Sequence, residues 1–335
     1  MNRLGLDRFS ALYLFVIFLA IFGIWTPHLF LTQSTLHTVA SSQAISAIIA
    51  IAVIVPLAAG VFDLSIGAVV NFSAVIVAVL QQRHGWGVWS SIAAAIAVSF
   101  FIGVVNGFIV VKLRVGAFIA TLGTATIIGA FQTIVAGNSQ PLPSDSKLFT
   151  SLTQKQVGGF QVVVLYVVVI AVVAWWALDH TPVGRQIYAV GGNREAARLS
   201  GVKVDRWTWV SLIASSTLCG VAGVLYCSLS GPSLTFGGAE LLPAYAAAFL
   251  GSTQLKPGRF NVWGAMIAVY VLATGIQGLQ YVTGVQWLPD MFNGVALVVA
   301  VSFASLSPHL RARKVDAAAV QDNHQIDEPL ELVPS

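Results

Sequence analysis

A single carboxylate interrupts a long apolar stretch near the start of this chain. Asp63 is the only Asp, Glu, Lys or Arg between Phe9 and Gln82. It lies in PLAAGVFDLSIGAVV, where Gly60 and Gly67 bracket an expected helix break. A carboxylate held in hydrocarbon is costly, so it marks a candidate site. Three roles fit Asp63. It can cap the following helix by accepting the backbone N–H of Ser65 or Ile66. With Ser65 and Gly67 it can form a gate or coupling point. It can relay a proton, but that needs a second intramembrane carboxylate, and none is evident in the apolar segments.

Uncharged polar residues are spread through the same apolar segments: Asn71, Ser73, Asn106, Thr121, Thr124, Thr126, Gln132, Gln277, Gln280 and Asn293. Asn and Gln cost too much to face lipid. They either bond between helices or line a wet path. Asn71, Asn106, Thr121, Gln132, Gln277 and Asn293, with the aromatic Phe118, form the candidate path, and a polar, uncharged lining suits a neutral hydroxylated solute. Phe131, Tyr245 and Tyr281 are further rings able to stack on a sugar or simply to pack. Gly103-x-x-x-Gly107 expects two helices in close contact.

The third candidate is a water-loving loop, Asp179 to Arg206, carrying Arg185, Arg194, Arg198, Lys203 and Arg206. Runs without Lys or Arg flank it, from Gln156 to Leu178 and from Trp207 to Leu255. Five basic residues in one short loop place it on the cytoplasmic side. Asn193 is a good N-cap, Glu195 sits where the helix dipole favours an anion, and Gly201 suits a left-handed stop. These signals predict a two-turn helix over 194–200, with Gly191-Gly192 allowing a bend before it. Ala196, Leu199 and Ser200 share a small face beside Arg194 and Arg198. The helix either docks a partner or lies on the membrane surface.

Other chemistries lack their residues. There is no phosphate-binding G-x-x-x-x-G-K-[ST] loop, so ATP is not expected to be hydrolysed by this chain. Nothing suggests a metal site or a catalytic pair. Cys219 and Cys227, eight residues apart on one predicted helix, stand about 12 Å from each other, too far for a disulfide.

The elements that must position these residues are membrane helices. The chain is 57% hydrophobic and 9% charged over 335 residues, with mean hydropathy +0.83. Soluble domains average roughly 25% charged. The expected fold is all-α and polytopic, a single transmembrane domain over 1–306. A transmembrane helix needs about 20 mostly apolar residues. Ten segments are predicted: 10–26, 43–62, 65–81, 88–111, 117–136, 160–178, 207–229, 241–251, 261–282 and 290–306. The eighth is short enough to be re-entrant or broken. The first is read as retained, since no small-x-small cleavage site follows it. With ten spans and both ends cytoplasmic, Arg83, Lys147 and Lys155 alone fall outside, and the other Lys and Arg residues fall inside. The net charge of +4 therefore reflects membrane topology and implies no nucleic-acid partner. The outer loop 137–159 reads as an ordered loop or short helix. The tail 307–335 has too little apolar content to fold alone.

Four blocks carry a family resemblance. GVFDLSIGAVV, AFIATLGT, TPVGRQIYAVGGNREAARLSGVKV and FLGSTQLKPGRFNVWGAMI resemble, in order, the signatures of permease subunits of ribose/xylose/arabinose-type ABC importers. The fourth departs from the pattern at Ser252, Pro257 and Phe260. The resemblance implies a second permease copy, most simply in a homodimer. It also implies a cytoplasmic ATPase subunit that holds ATP and Mg, and an outer solute-binding protein that delivers a sugar. It implies that Gly184, Arg185, Gly191, Gly192, Asn193, Arg194, Glu195, Ala196, Ala197, Arg198, Leu199 and Gly201 form the coupling element. The implied location is a bacterial inner membrane. The competing class is an ion-coupled secondary transporter, which would need ion-binding residues beyond Asp63.

Overall fold

The computed structural model describes residues 6–302. The tail expected to be unstructured lies outside them. Helices dominate: α1 (Leu6–Trp25), α2 (Pro27–Phe30), α3 (Gln33–Ser42), α4 (Ala44–Ala58), α5 (Ile66–Gln82), α6 (Val88–Gly107), α7 (Ala117–Ala136), α8 (Lys147–Gln154), α9 (Val162–His180), α10 (Pro182–Gly192), α11 (Arg194–Leu199), α12 (Val204–Ser230), α13 (Phe236–Ser252) and α14 (Val262–Thr283). A last apolar helix, α15, covers Leu288–Ser302. Each of the ten predicted segments falls on a helix. Among the described residues, five helices are long and apolar enough to cross a membrane alone: α6 with its terminal π-helical turn Phe108–Lys112, α7, α9, α12 and α14. The pair α3–α4 qualifies together, bent by 41° at Gln43.

The arrangement follows from which helices are apolar all round. Every residue of α4, AISAIIAIAVIVPLA, is buried, as expected of a helix with no polar face. Around it pack α12, α13, α14 and α9, while α12 also packs against α5 and α6. Gly103 and Gly107 permit the α6–α12 contact. A Cβ on Gly103 would lie 2.6 Å from the Ile213 backbone, and one on Gly107 would strike the Trp209 ring. The outer faces of α7 and α9 carry Ile119, Ile127, Ile134, Leu165 and Trp176, all exposed.

Two ends of the bundle are distinct. At one, Arg83 donates to the carbonyls of Val135 and Ala136 at the end of α7, a cation placed at the negative end of the helix dipole. Here α8 packs on α12, with Thr153 bonded to Ser228 (2.8 Å). A two-stranded hairpin follows, Gln156–Val157 against Phe160–Gln161, turned by Gly158 and Gly159, both at positive φ. At the other end α9 finishes and α10, α11 and the α13–α14 turn lie close together.

Candidate functional site

The structure gathers Asp63, Ser65, Asn106 and Thr121 into one buried cluster at the α4–α5 break. Gly60 turns the chain at φ +70°. Asp63 is fully buried, and its Oδ1 accepts from the Ser65 N–H (3.0 Å) and the Ser65 hydroxyl (2.6 Å). The Ser65 hydroxyl also accepts from Asn106 Nδ2 on α6 (2.8 Å). Thr121 on α7 accepts the Leu64 N–H (2.9 Å). Tyr245 on α13 bridges the break: its hydroxyl accepts from the Asp63 N–H (3.1 Å) and donates to the Asp63 carbonyl (2.9 Å). Three helices thus pin one irregular segment. Asp63 Oδ2 and Asn106 Oδ1 make no hydrogen bond among the described residues.

Two expectations change here. Gly67 is not at the break but in the first turn of α5. It is small because α13 touches it: a Cβ there would lie 2.4 Å from the Gly237 carbonyl oxygen. A second carboxylate also exists. Glu240 lies inside α13, which starts at Phe236, five residues before the predicted segment, and it is set beside Ser46 of α4.

The remaining path candidates separate. Asn71 Nδ2 and Gln132 Nε2 both donate to the Leu234 carbonyl (3.0 Å each), and Asn71 Oδ1 accepts the Gly237 N–H (2.6 Å). They fasten the turn that leads into α13. Gln277 and Asn293 are half-buried on α14 and α15, and neither bonds to this group. Phe118 is 56% exposed on the outside of α7.

The charged loop forms two helices rather than one. α10 runs through Gly191 and Gly192, so the bend comes at Asn193, not at the glycines. Gly184 is buried, and Gly191, exposed on its other side, lies against the end of α4. A Cβ on Gly184 would meet the Leu178 carbonyl, and one on Gly191 would lie 2.1 Å from the Ala58 carbonyl oxygen. α11 then begins with Asn193 Oδ1 accepting the Ala196 N–H (3.0 Å). It ends on Gly201 at φ +81°, with Val202 N–H on the Ala197 carbonyl and Gly201 N–H on the Arg198 carbonyl. That pair of bonds is a Schellman stop. Ala197 is buried, and Arg194 ties α11 to Thr208 of α12 (3.1 Å). Leu199 is 88% exposed. Arg185, Gly192, Glu195, Ala196 and Arg198 are also exposed. A capped helix here presents Leu199 beside the exposed Arg198–Glu195 pair (3.8 Å).

Beside it lies a cluster that sequence reasoning missed. Asp179, at the end of α9, pairs with Lys256 (2.8 Å) and Arg259 (3.3 Å) from the α13–α14 turn. The Arg259 guanidinium lies 3.6 Å over the Tyr188 ring of α10, and the Tyr188 hydroxyl donates to the Phe260 carbonyl (2.6 Å). Burial pushes the Tyr188 phenol up to about 12, against the opposing pull of Arg259. Asn261 holds the turn from within, donating to the carbonyls of Gly251 and Gln254 and capping α14 at Gly264.

Comparison with known proteins decides the family. Residues 35–301 match the model described as branched-chain amino acid transport system / permease component. The chain belongs to this family. The ribose import permease protein RbsC of Haemophilus influenzae is 32% identical over 85% of this chain and 89% of its own length. The D-allose transport system permease protein AlsC of Escherichia coli is 25% identical over 90% and 92%. The L-arabinose transport system permease protein AraH of the same organism is 27% identical over 89% and 90%. The resemblance carried by the four sequence blocks, to permeases of carbohydrate ABC importers, therefore holds. The chain is a multi-pass membrane protein whose relatives are transport permeases.

Proposed function

We propose that this chain is the membrane-spanning subunit of an ATP-driven importer of a monosaccharide or related polyol. A separate ATPase subunit holds ATP and Mg and drives alternating access. An outer solute-binding protein delivers the sugar, and two permease copies, in the simplest case identical, enclose the path. The bundle crosses the inner membrane ten times with both termini cytoplasmic, which puts Arg83, Lys147 and Lys155 outside and α10–α11 inside.

One observation carries this reading. A short helix capped at both ends, tied to the bundle through buried Ala197 and the Arg194–Thr208 bond, holds Leu199, Glu195 and Arg198 out into solvent. Fixed at its base and exposed at its outer face, it suits a groove in a soluble partner. The sugar-transporting relatives support the cargo class. The α4–α5 break, held by Tyr245, Thr121 and Asn106, is the structural break beside the path.

The test is uptake into vesicles of radiolabelled D-ribose, D-allose and L-arabinose, with and without the partner ATPase and binding protein. Uptake is expected only with all three components and ATP. Uptake by this chain alone under an ion gradient would overturn the proposal in favour of a secondary transporter.

A further inference from the structure

Resting on the reading of α11 as the coupling helix, we infer that Arg259 and Tyr188 are positioning residues that carry the movement of α10–α11 to the α13–α14 turn. The helix that moves with α11 is α10, which precedes it directly through Asn193. α10 packs against α9, α12 and α4, and two of its contacts differ in character. Its last turn lies against the end of α4, where Gly191 meets the Ala58 carbonyl and the Gly60 backbone. That contact is backbone on backbone and carries no charge. Its middle turn is gripped. Tyr188 lies under the Arg259 guanidinium at 3.6 Å and donates its hydroxyl to the Phe260 carbonyl at 2.6 Å. Arg259 is in turn anchored to Asp179 at 3.3 Å.

The grip is directional. Asp179 is almost buried, with 8% of its side chain exposed, and it takes both Lys256 and Arg259. A flat guanidinium held between a carboxylate and a ring keeps its plane and resists sideways displacement, which an ammonium does not. A shift of α10 therefore drags the 253–260 turn. That turn ends in Asn261, the cap of α14, and begins at the end of α13, the helix whose Tyr245 bridges the Asp63 break. The path from α11 to the break thus closes through contiguous contacts, the kind of connection along which coupling is modified by about 0.5–2 kcal/mol.

Hydrogen exchange on the permease–ATPase complex in nanodiscs tests this without knowing the sugar. Exchange over 194–200 and 253–260 is compared without nucleotide and with ATP plus vanadate. In the wild type both segments are expected to respond to nucleotide. In Arg259→Ala, segment 194–200 still responds, while the response of 253–260 falls by about 3- to 30-fold. Tyr188→Ala/Arg259→Ala falls no further than Arg259→Ala. Should Arg259→Ala not assemble, Arg259→Lys carries the same test, since it keeps a charge toward Asp179 and loses the flat stack. A wild-type response of 253–260 in these variants overturns the inference. So does faster exchange in both segments before nucleotide is added, which marks a purely structural grip. Silence of 194–200 in the wild type overturns the coupling-helix reading itself, and the relay with it.

Discussion

Replacing Tyr245 by Phe isolates the one hydroxyl that bridges the α4–α5 break. The ring is 5% exposed and stacks on Phe62 with centroids 6.0 Å apart and planes 16° from parallel. Phe keeps that packing and removes only oxygen. Two hydrogen bonds go, from the Asp63 N–H at 3.1 Å and to the Asp63 carbonyl at 2.9 Å. Side-chain hydrogen bonds inside membrane proteins average about 0.6 kcal/mol and reach about 1.7. Two of them, left unreplaced at a fully buried residue, give a loss of about 1–3 kcal/mol. The assay is unfolding in mixed micelles titrated with dodecyl sulfate and followed by circular dichroism, with hydrogen exchange over residues 60–66 as the local reading. The midpoint should fall with the slope unchanged. Local exchange should rise by about 5- to 150-fold, at about 1.4 kcal/mol per decade. A change below about 0.3 kcal/mol, with exchange unaltered, would refute the claim that Tyr245 holds the break.

Asn193→Ala removes the cap of α11 and should cost the helix about 1 kcal/mol, seen as weaker ATPase co-purification with the bundle's melting unchanged. Leu199→Ala should weaken ATPase association by about tenfold, since burying a Leu side chain contributes about 1.5–3 kcal/mol and Ala forfeits most of it; titration calorimetry or biolayer interferometry reads this. Gly191→Ala places a methyl on the Ala58 carbonyl and should cost about 1–3 kcal/mol as overpacking, lowering the thermal midpoint. Tyr188, raised from the usual phenol value of 10 to about 12, favours its neutral form in the fold. Stability should therefore hold below pH 10 and decline as pH rises from 10 toward 12. Ultraviolet difference titration of Tyr188→Phe should lack one late-ionising phenol.

What could be read from the residues follows from how local each cause is. The termini of α11 were legible because a cap and a left-handed stop are settled within a few residues, by Asn193 and Gly201. The ten apolar segments were legible because length and composition alone demand helices in lipid. The start of α13 was not. Phe236-Gly237-Gly238 reads as a loop, and it becomes helix only because Asn71 accepts the Gly237 N–H and Gly67 lets the backbone approach. Glu240 was lost with it. The hairpin at 156–161 did carry a signal, Val157-Gly158-Gly159-Phe160, since Gly-Gly is a favoured two-residue turn between strands. The Asp63 bond to the Ser65 N–H was visible, although it closes a turn before α5, whose N-cap is Ser65, rather than capping the helix; Tyr245 lies 182 residues away, beyond any pattern in one sequence. The same holds for Asp179 and Lys256, 77 residues apart.

The glycine contacts along α13 have a mechanical meaning. Near its start, Gly237 meets Gly67 of α5, and near its end, Gly251 meets Gly264 of α14; each pair is so close that a methyl on either member would overlap the other's backbone or its neighbour's. Side chains that interlock between helices act as teeth, and a helix must jump a whole notch to move past them. Where backbone lies on backbone the fit has no slack, and at α13 each such contact is also bolted by an asparagine, Asn71 at Gly237 and Asn261 at Gly251. α13 is therefore built to move together with α5 and α14 rather than past them, and a single methyl at either contact would force the helices apart.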